Sequence, residues 1–339
     1  MIIGAGVIGQ RHAKAMAECD DCRLAGFVDV SAAARRVAER WDVPAFASIE
    51  DMLGQITPDG AIVATPTEAH FTPTQAMIER QIPVLVEKPL MGTVEEADAI
   101  VALTDTHNTP VLVGHQRRYY SRVVEAKAMI EDGTLGQLVT LHGQWNMRKN
   151  RSYFDPDWRK KRQAGPVLTN LIHEFDLLRF MCGEITSVSA EISNAVMGFE
   201  KEDAAAIVMR FESGALGTFL LSDQATSPWT WELALGENAA FPPTGQNATR
   251  FMGTKAALDF PNLALWHHGS GEADWNHQIE VSEKPGVVED AFVLQLEHFC
   301  HVIAGECAPG VSATDARQSL RATLAVFEAA QTGARVKLI

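Results

Sequence analysis

The chain has 339 residues, 46% of them hydrophobic and 21% charged, and its formal charge is −14. That length exceeds what one hydrophobic core usually serves, so two domains are expected. Such acidity repels phosphate backbones, and no apolar run approaches the roughly 18 residues of a membrane helix, which argues against nucleic acid and the bilayer as partners. Five scattered cysteines make no disulfide framework in a chain this size, and no basic leader precedes the first motif, so a reducing cytoplasmic setting is expected.

Residues 1 to about 122 alternate short apolar runs with helical patterns. Ile2-Ile3, 24–28, 60–64, 84–86 and 111–113 are each too short for a buried helix, and crossover-length chain separates them. This spacing predicts βαβ units and a parallel sheet. Thr93-Val94-Glu95-Glu96 reads as a capping box that opens a helix. Only three residues precede the first glycine, short for a buried strand, which suggests a native start upstream of Met1.

Beyond residue 122 the texture changes. Residues 139–145, 188–192, 205–211, 216–222 and 231–235 alternate as half-buried antiparallel strands do, with Gly214 in a hairpin-like turn. From about residue 290 to 331 helical periodicity returns, interrupted at Gly305 and Pro309-Gly310. The expected fold class is α/β: an N-terminal Rossmann doubly wound parallel sheet (1–122), and a C-terminal α+β domain with a large, mostly antiparallel open sheet (123–339).

Gly4-Ala5-Gly6-Val7-Ile8-Gly9 is a G-x-G-x-x-G between an apolar strand and a helical stretch, and Asp29 lies twenty residues past Gly9. Gly4 permits a tight turn, Gly6 a close approach of the backbone to a pyrophosphate, and Gly9 close helix–sheet packing. The helix N-terminus, with Val7 and Ile8 in its first turn, then offers unsatisfied N–H groups to the diphosphate. Asp29 would accept the ribose diol and repel a 2′-phosphate. NAD is therefore favoured over NADP, a preference that the nearby Arg35 and Arg36 soften.

Glu87-Lys88-Pro89 follows the run 84–86, at the sheet edge where open α/β folds hold ligands. With Thr65-Pro66-Thr67 and His70 upstream, Gly114-His115-Gln116-Arg117-Arg118, and the stretch from Gly165 to His173-Glu174-Phe175-Asp176, this resembles the Gfo/Idh/MocA family of glucose–fructose oxidoreductases and inositol dehydrogenases. Glu297-His298-Phe299 and the segment 329–333 extend the resemblance to the tail. It implies cofactor contacts at Thr65, Pro66, His70, Glu87 and Lys88, and a cleft between the domains where Lys88 and His173 meet. The pair suits oxidation of a secondary alcohol: a histidine takes the hydroxyl proton near neutrality, and an ammonium holds the developing alkoxide. Arg118, Thr169 and Asn170 are candidate substrate contacts. Inositol-dehydrogenase-like members carry an aspartate four residues before the histidine, where this chain has Thr169.

Expected substrates are thus sugars, sugar derivatives or inositols. Rival readings are a dehydrogenase of carboxylated cyclic diols and a non-catalytic NAD(P)-binding regulator. The first rival draws on residues 148–162, where seven basic residues against Asp155 and Asp157 make a net +5 island. Trp229 and Trp231 are read as strand residues that stack on a sugar or fill a core or interface. Cys19-Asp20-Asp21-Cys22 has C-x-x-C spacing with no second pair, so its thiols read as incidental and no metal is expected. An open sheet face predicts a homodimer or homotetramer.

Overall fold

The computed structural model describes residues 1–237, 241–269, 272–284 and 289–338. The chain divides into two compact units: Met1–Gln116 with Asp290–Leu320, and Arg117–Glu289 with Arg321–Ile339.

The first unit opens with β1 (Ile2–Ile3), α1 (Val7–Met16), β2 (Phe27–Val28), α2 (Ala33–Arg40), β3 (Ala45–Phe46) and α3 (Ile49–Leu53). It continues with β4 (Ala61–Val63), α4 (Phe71–Ile78), β5 (Val84–Val86), α5 (Val94–His107) and β6 (Val111–Val113). All six strands are parallel, in the order β3-β2-β1-β4-β5-β6. The order reverses beside β1, so the crevice at the carboxyl ends of β1 and β4 is the topological switch point. β1, β2, β4, β5 and β6 are buried throughout, which is why each reads as an uninterrupted apolar run, whereas β3, an edge strand of two residues with Ala45 half-buried, gives no such run. The Thr93 hydroxyl accepts the Glu96 N–H (3.2 Å) as expected, while Glu96 reaches back to the N–H of Gly92 (3.2 Å).

The second unit holds α6 (Ser121–Glu131), β7 (Leu138–Asn146), α7 (Ile172–Cys182), β8 (Ile185–Ser193), β9 (Ala204–Phe211), β10 (Leu216–Ser222) and α8 (Trp231–Leu235). After these come β11 (Thr249–Gly253), β12 (Ala256–Phe260), β13 (Ala264–His267) and β14 (Glu280–Ser282). The tail supplies α9 (Ala291–Ile303), α10 (Ala313–Thr332) and β15 (Val336–Lys337). The second sheet has nine strands, ordered β14-β13-β12-β11-β7-β10-β9-β8-β15. Only β7 and β10 pair in parallel. In β9 and β10 the alternation is regular: Ile207, Met209, Phe211, Phe219 and Leu221 are buried, while Val208, Leu216 and Leu220 stand 53%, 43% and 45% exposed on the other face.

Two features differ from the expected organisation. A single boundary near 122 would leave the whole tail with the second unit, yet Asp290–Leu320 packs into the first. There the Val113 N–H donates to the carbonyl of Val311, and α9 sits so close that a Cβ on Gly60 would stand 2.5 Å from Ile303. Residues 231–235 form a helical turn rather than a strand. Thr230 caps it by accepting the Leu233 N–H, and Gly236 closes it in the left-handed region at φ 68°. The two tryptophans accordingly part: Trp231 is buried, and Trp229 is 41% exposed. Among the described residues no helix is long and apolar enough to cross a membrane.

Candidate active site

The glycine loop of the first unit separates two structural glycines from one that faces open space. Gly4 has φ 103°, and a Cβ there would lie 2.5 Å from the Ala64 carbonyl oxygen. A Cβ on Gly9 would fall 1.9 Å from the Gly4 oxygen, so α1 sits against the sheet only because Gly9 has no side chain. At Gly6 nothing lies within 4 Å, and its φ is −70°. The protein itself therefore makes no demand for glycine there; an approaching ligand would. Gly6 caps α1 without a side-chain bond, no acidic residue occupies the first turn, and Val7 is 84% exposed. The unsatisfied N–H groups and dipole of such a helix end attract an anion, and apolar surface lies open beside it.

At the end of β2 the Asp29 carboxylate accepts N–H bonds from Ala5 and Ser31, both 2.7 Å. Partial burial opposes its ionisation, but these two N–H groups, with the Ser31 hydroxyl, outweigh burial and hold the carboxyl below its usual range. Asp29 is thus a fixed anion beside the glycine loop, and the adjacent Val30 is 95% exposed. The turn after β2 thus sets a bare apolar side chain next to a fixed carboxylate. Val30 escaped sequence reasoning because a lone valine after a strand has no signature.

Thr65 and Pro66 open the turn after β4, and the Thr65 hydroxyl donates to the Ala69 carbonyl (3.1 Å). His70 is buried, its Nδ1 lying 3.0 Å from the Pro89 carbonyl oxygen and its Nε2 2.9 Å from that of Thr65. Expected at the cofactor, its ring instead ties the turn after β4 to the turn after β5. Glu87 likewise spends its carboxylate inside the unit, on His12 Nε2 (2.7 Å) and the Lys88 N–H (3.2 Å). Burial alone would raise the Glu87 pKa, but the His12 hydrogen bond and charge, with Lys88, keep it below the usual range. Lys88 itself is half-buried at the carboxyl end of β5.

In the second unit His173 stands in the first turn of α7, 8% exposed. The preceding segment, Val167–Leu171, is a π-helix, a widened turn that often marks functional sites and shifts Thr169 from its ordinary one-turn register with His173. The Thr169 hydroxyl lies 2.9 Å from both the Gly165 carbonyl oxygen and Asn170 Oδ1. Arg118, expected at the substrate, instead forks onto Asp176 with bonds of 2.7 and 2.6 Å and lies over the Phe180 ring.

Sequence reasoning missed the neighbouring network. Arg117, buried, donates to Glu174 and Glu232 at 2.7 Å each, approaches Glu237 at 3.7 Å, and lies over the Trp231 ring. Burial pushes Glu174 up to about 7; Arg117 opposes the shift, and the Glu232 and Glu237 charges add to it. The folded state then binds a proton that the unfolded chain releases in the ordinary carboxyl range. Stability from this group is full below that range and falls as pH rises through about 7, on the order of 3 kcal/mol in all. Urea denaturation from about pH 5 to about pH 8 should show this decline, and Glu174→Gln should flatten it.

The basic island is largely spent within its own unit. Lys149 approaches Asp223, Arg159 stacks on Tyr153, Lys160 and Lys161 pair with Asp157 and Glu200, and Arg162 lies over Phe327.

Two family models cover most of the chain: residues 1–115 match the Gfo/Idh/MocA oxidoreductase family's NAD-binding Rossmann fold, and residues 123–259 its C-terminal domain. The chain belongs to the Gfo/Idh/MocA family of oxidoreductases. Its first unit is an NAD-binding Rossmann domain, and the open Gly6, the α1 N-terminus and Asp29 fit that cofactor. The rhizopine catabolism protein MocA of Rhizobium meliloti is 25% identical over 96% of this chain and 93% of its own. The scyllo-inositol 2-dehydrogenase (NAD(+)) of Bacillus subtilis is 25% identical over 99% and 95%. Among solved structures, the WlbA dehydrogenase of Bordetella pertussis, in complex with NADH and UDP-GlcNAcA, superposes with a TM-score of 0.79 at 22% identity, over 100% and 98% of the two chains.

Proposed function

We propose that this Gfo/Idh/MocA protein is a dehydrogenase of a secondary alcohol on a cyclic, polyhydroxylated substrate: a sugar, a sugar derivative or an inositol. The observation that carries the reading is a ligand-ready glycine loop in a chain that also keeps Lys88 at the end of β5 and His173 at the head of α7. The inositol dehydrogenase among its relatives supports the substrate class.

Bound NAD supplies the hydride acceptor. The α1 N-terminus holds the diphosphate, Asp29 the adenosine ribose and Val30 the base. His173 takes the proton from the substrate hydroxyl, and Lys88 holds that oxygen and stabilises its developing negative charge. Glu87 and His70 are positioning residues, because each fixes backbone on which Lys88 or the cofactor turn depends. Thr169 and Asn170 present the polar surface preceding His173 to substrate hydroxyls. The carboxylated-diol reading draws less support, since five of the seven basic residues meant to capture an anion already have partners within the unit. We further propose that the exposed face of β9 and β10 is a subunit interface, so that the protein is a homodimer or homotetramer.

Assaying NADH formation across sugars, inositols, sugar acids and cyclic diols tests the function. Turnover of a neutral polyol with NAD is expected; turnover confined to carboxylated diols would favour the rival, and tight NAD binding without any turnover would favour a regulator. Sedimentation tests the interface: Val208→Lys with Leu220→Lys should yield monomers, and a wild-type monomer would remove the idea.

A further inference from the structure

Away from the cofactor loop, at the other end of α1, the first unit gathers three cysteines. Cys19 and Cys22 follow the helix, and Cys300 comes from α9; their sulfur atoms all lie within 4.8 Å of one another. Cys19 is buried, while Cys22 and Cys300 are half-buried. Cys22 and Cys300 line a cleft of about 740 Å³ together with Asp20 and Asp21. The C-x-x-C pair alone lacks further ligands, and its sequence gives no sign that α9 delivers a third. α9 runs beside α1, with Arg11 paired to Asp290 and His12 edge-on to Phe292 at 5.2 Å, and this alignment brings Cys300 onto the C-x-x-C turn.

We propose that Cys19, Cys22 and Cys300 form a three-thiolate site for a thiophilic divalent cation of the zinc class, with the fourth position open to the cleft. Three sulfurs about a tetrahedral zinc, each some 2.3 Å from the metal, stand roughly 3.8 Å apart, so the cluster needs only a small closure. A C-x-x-C turn joined by a cysteine from another element is a common way to assemble such a donor set. Asp20 and Asp21 at the mouth of the cleft attract an approaching cation. Binding displaces three thiol protons to solvent, with no change of oxidation state. A simple disulfide would use two of the three sulfurs and leave the third unexplained. The bound ion fastens the far end of α1 to α9.

The test is to reduce the purified full chain, strip it of metal and titrate it with Co²⁺. Visible bands of tetrahedral cobalt with thiolate-to-metal charge transfer should saturate at one ion per chain and vanish on adding Zn²⁺. Cys300→Ser and Cys22→Ala, each checked for retained NAD binding as evidence of folding, should weaken binding by at least about tenfold. Cys307→Ser, outside the cluster, should leave it unchanged. Absence of a charge-transfer band in the reduced wild type would overturn the site, as would a Co²⁺ affinity left unchanged by Cys300→Ser. So would protein whose mass, before reduction, is two hydrogens short and which takes up no Co²⁺ once reduced.

Discussion

Replacing His173 by Asn is expected to lower kcat by roughly 10²–10⁴-fold while NAD affinity stays within about threefold of wild type. The size follows from the role proposed for it: without a base, the hydroxyl proton must leave to water as the hydride departs. Asn keeps a hydrogen-bonding group at the position but cannot accept the proton. The acid limb of the kcat/KM–pH profile should flatten in the same variant, which a merely structural histidine would not cause. Lys88→Met should cost about 10²–10³-fold in kcat, because the alkoxide loses its cation. It should also weaken NAD modestly, since Lys88 closes the turn that His70 and Glu87 shape. Near-normal turnover by His173→Asn would end the assignment.

The second large effect separates two glycines of one motif. Gly6→Ala should leave stability within about 1 kcal/mol of wild type, since its backbone conformation suits alanine and nothing stands near the added methyl. NAD affinity should nevertheless fall roughly a hundredfold, about 2.7 kcal/mol, because the methyl occupies the space into which the diphosphate must come. Gly9→Ala should do the reverse in kind: the methyl meets the Gly4 carbonyl at 1.9 Å, and the unit should lose about 3 kcal/mol or more before any ligand is considered. Calorimetric titration with NAD beside thermal unfolding distinguishes the two. Equal destabilisation by both variants would mean that Gly6 is structural and the open surface is not the diphosphate site.

The parallel sheet was legible in the sequence because strands buried on both faces must be uninterrupted apolar runs, and because crossovers need length. The strands β7 to β10 were legible from alternation. β11 to β14 were not: they are three to five residues long, and β14 is exposed throughout. Residues 231–235 alternate like a strand, but Thr230 and Gly236 supply a cap at each end, and local capping prevailed. At the candidate site, the motif residues were legible by spacing, whereas their engagements were not. That Arg118 would be held by Asp176, or that His70 would be spent on carbonyl oxygens, depends on which elements pack together. Periodicity likewise marks 290–331 as helical without saying which sheet it serves.

That last point bears on how the chain is made. β6 lies at the edge of the six-stranded sheet, and its outer side is closed by the segment at Val311–Ser312, with the Gln295 amide on the Val113 carbonyl. A ribosome delivers these residues late, after the long Arg117–Glu289 stretch of the second unit. Until they emerge, the nascent Rossmann sheet has a bare strand edge of Val111-Leu112-Val113, which is what chaperones bind and what neighbouring chains pair with. The cofactor domain, although it begins at the first residue, is therefore among the last parts of the protein to become complete.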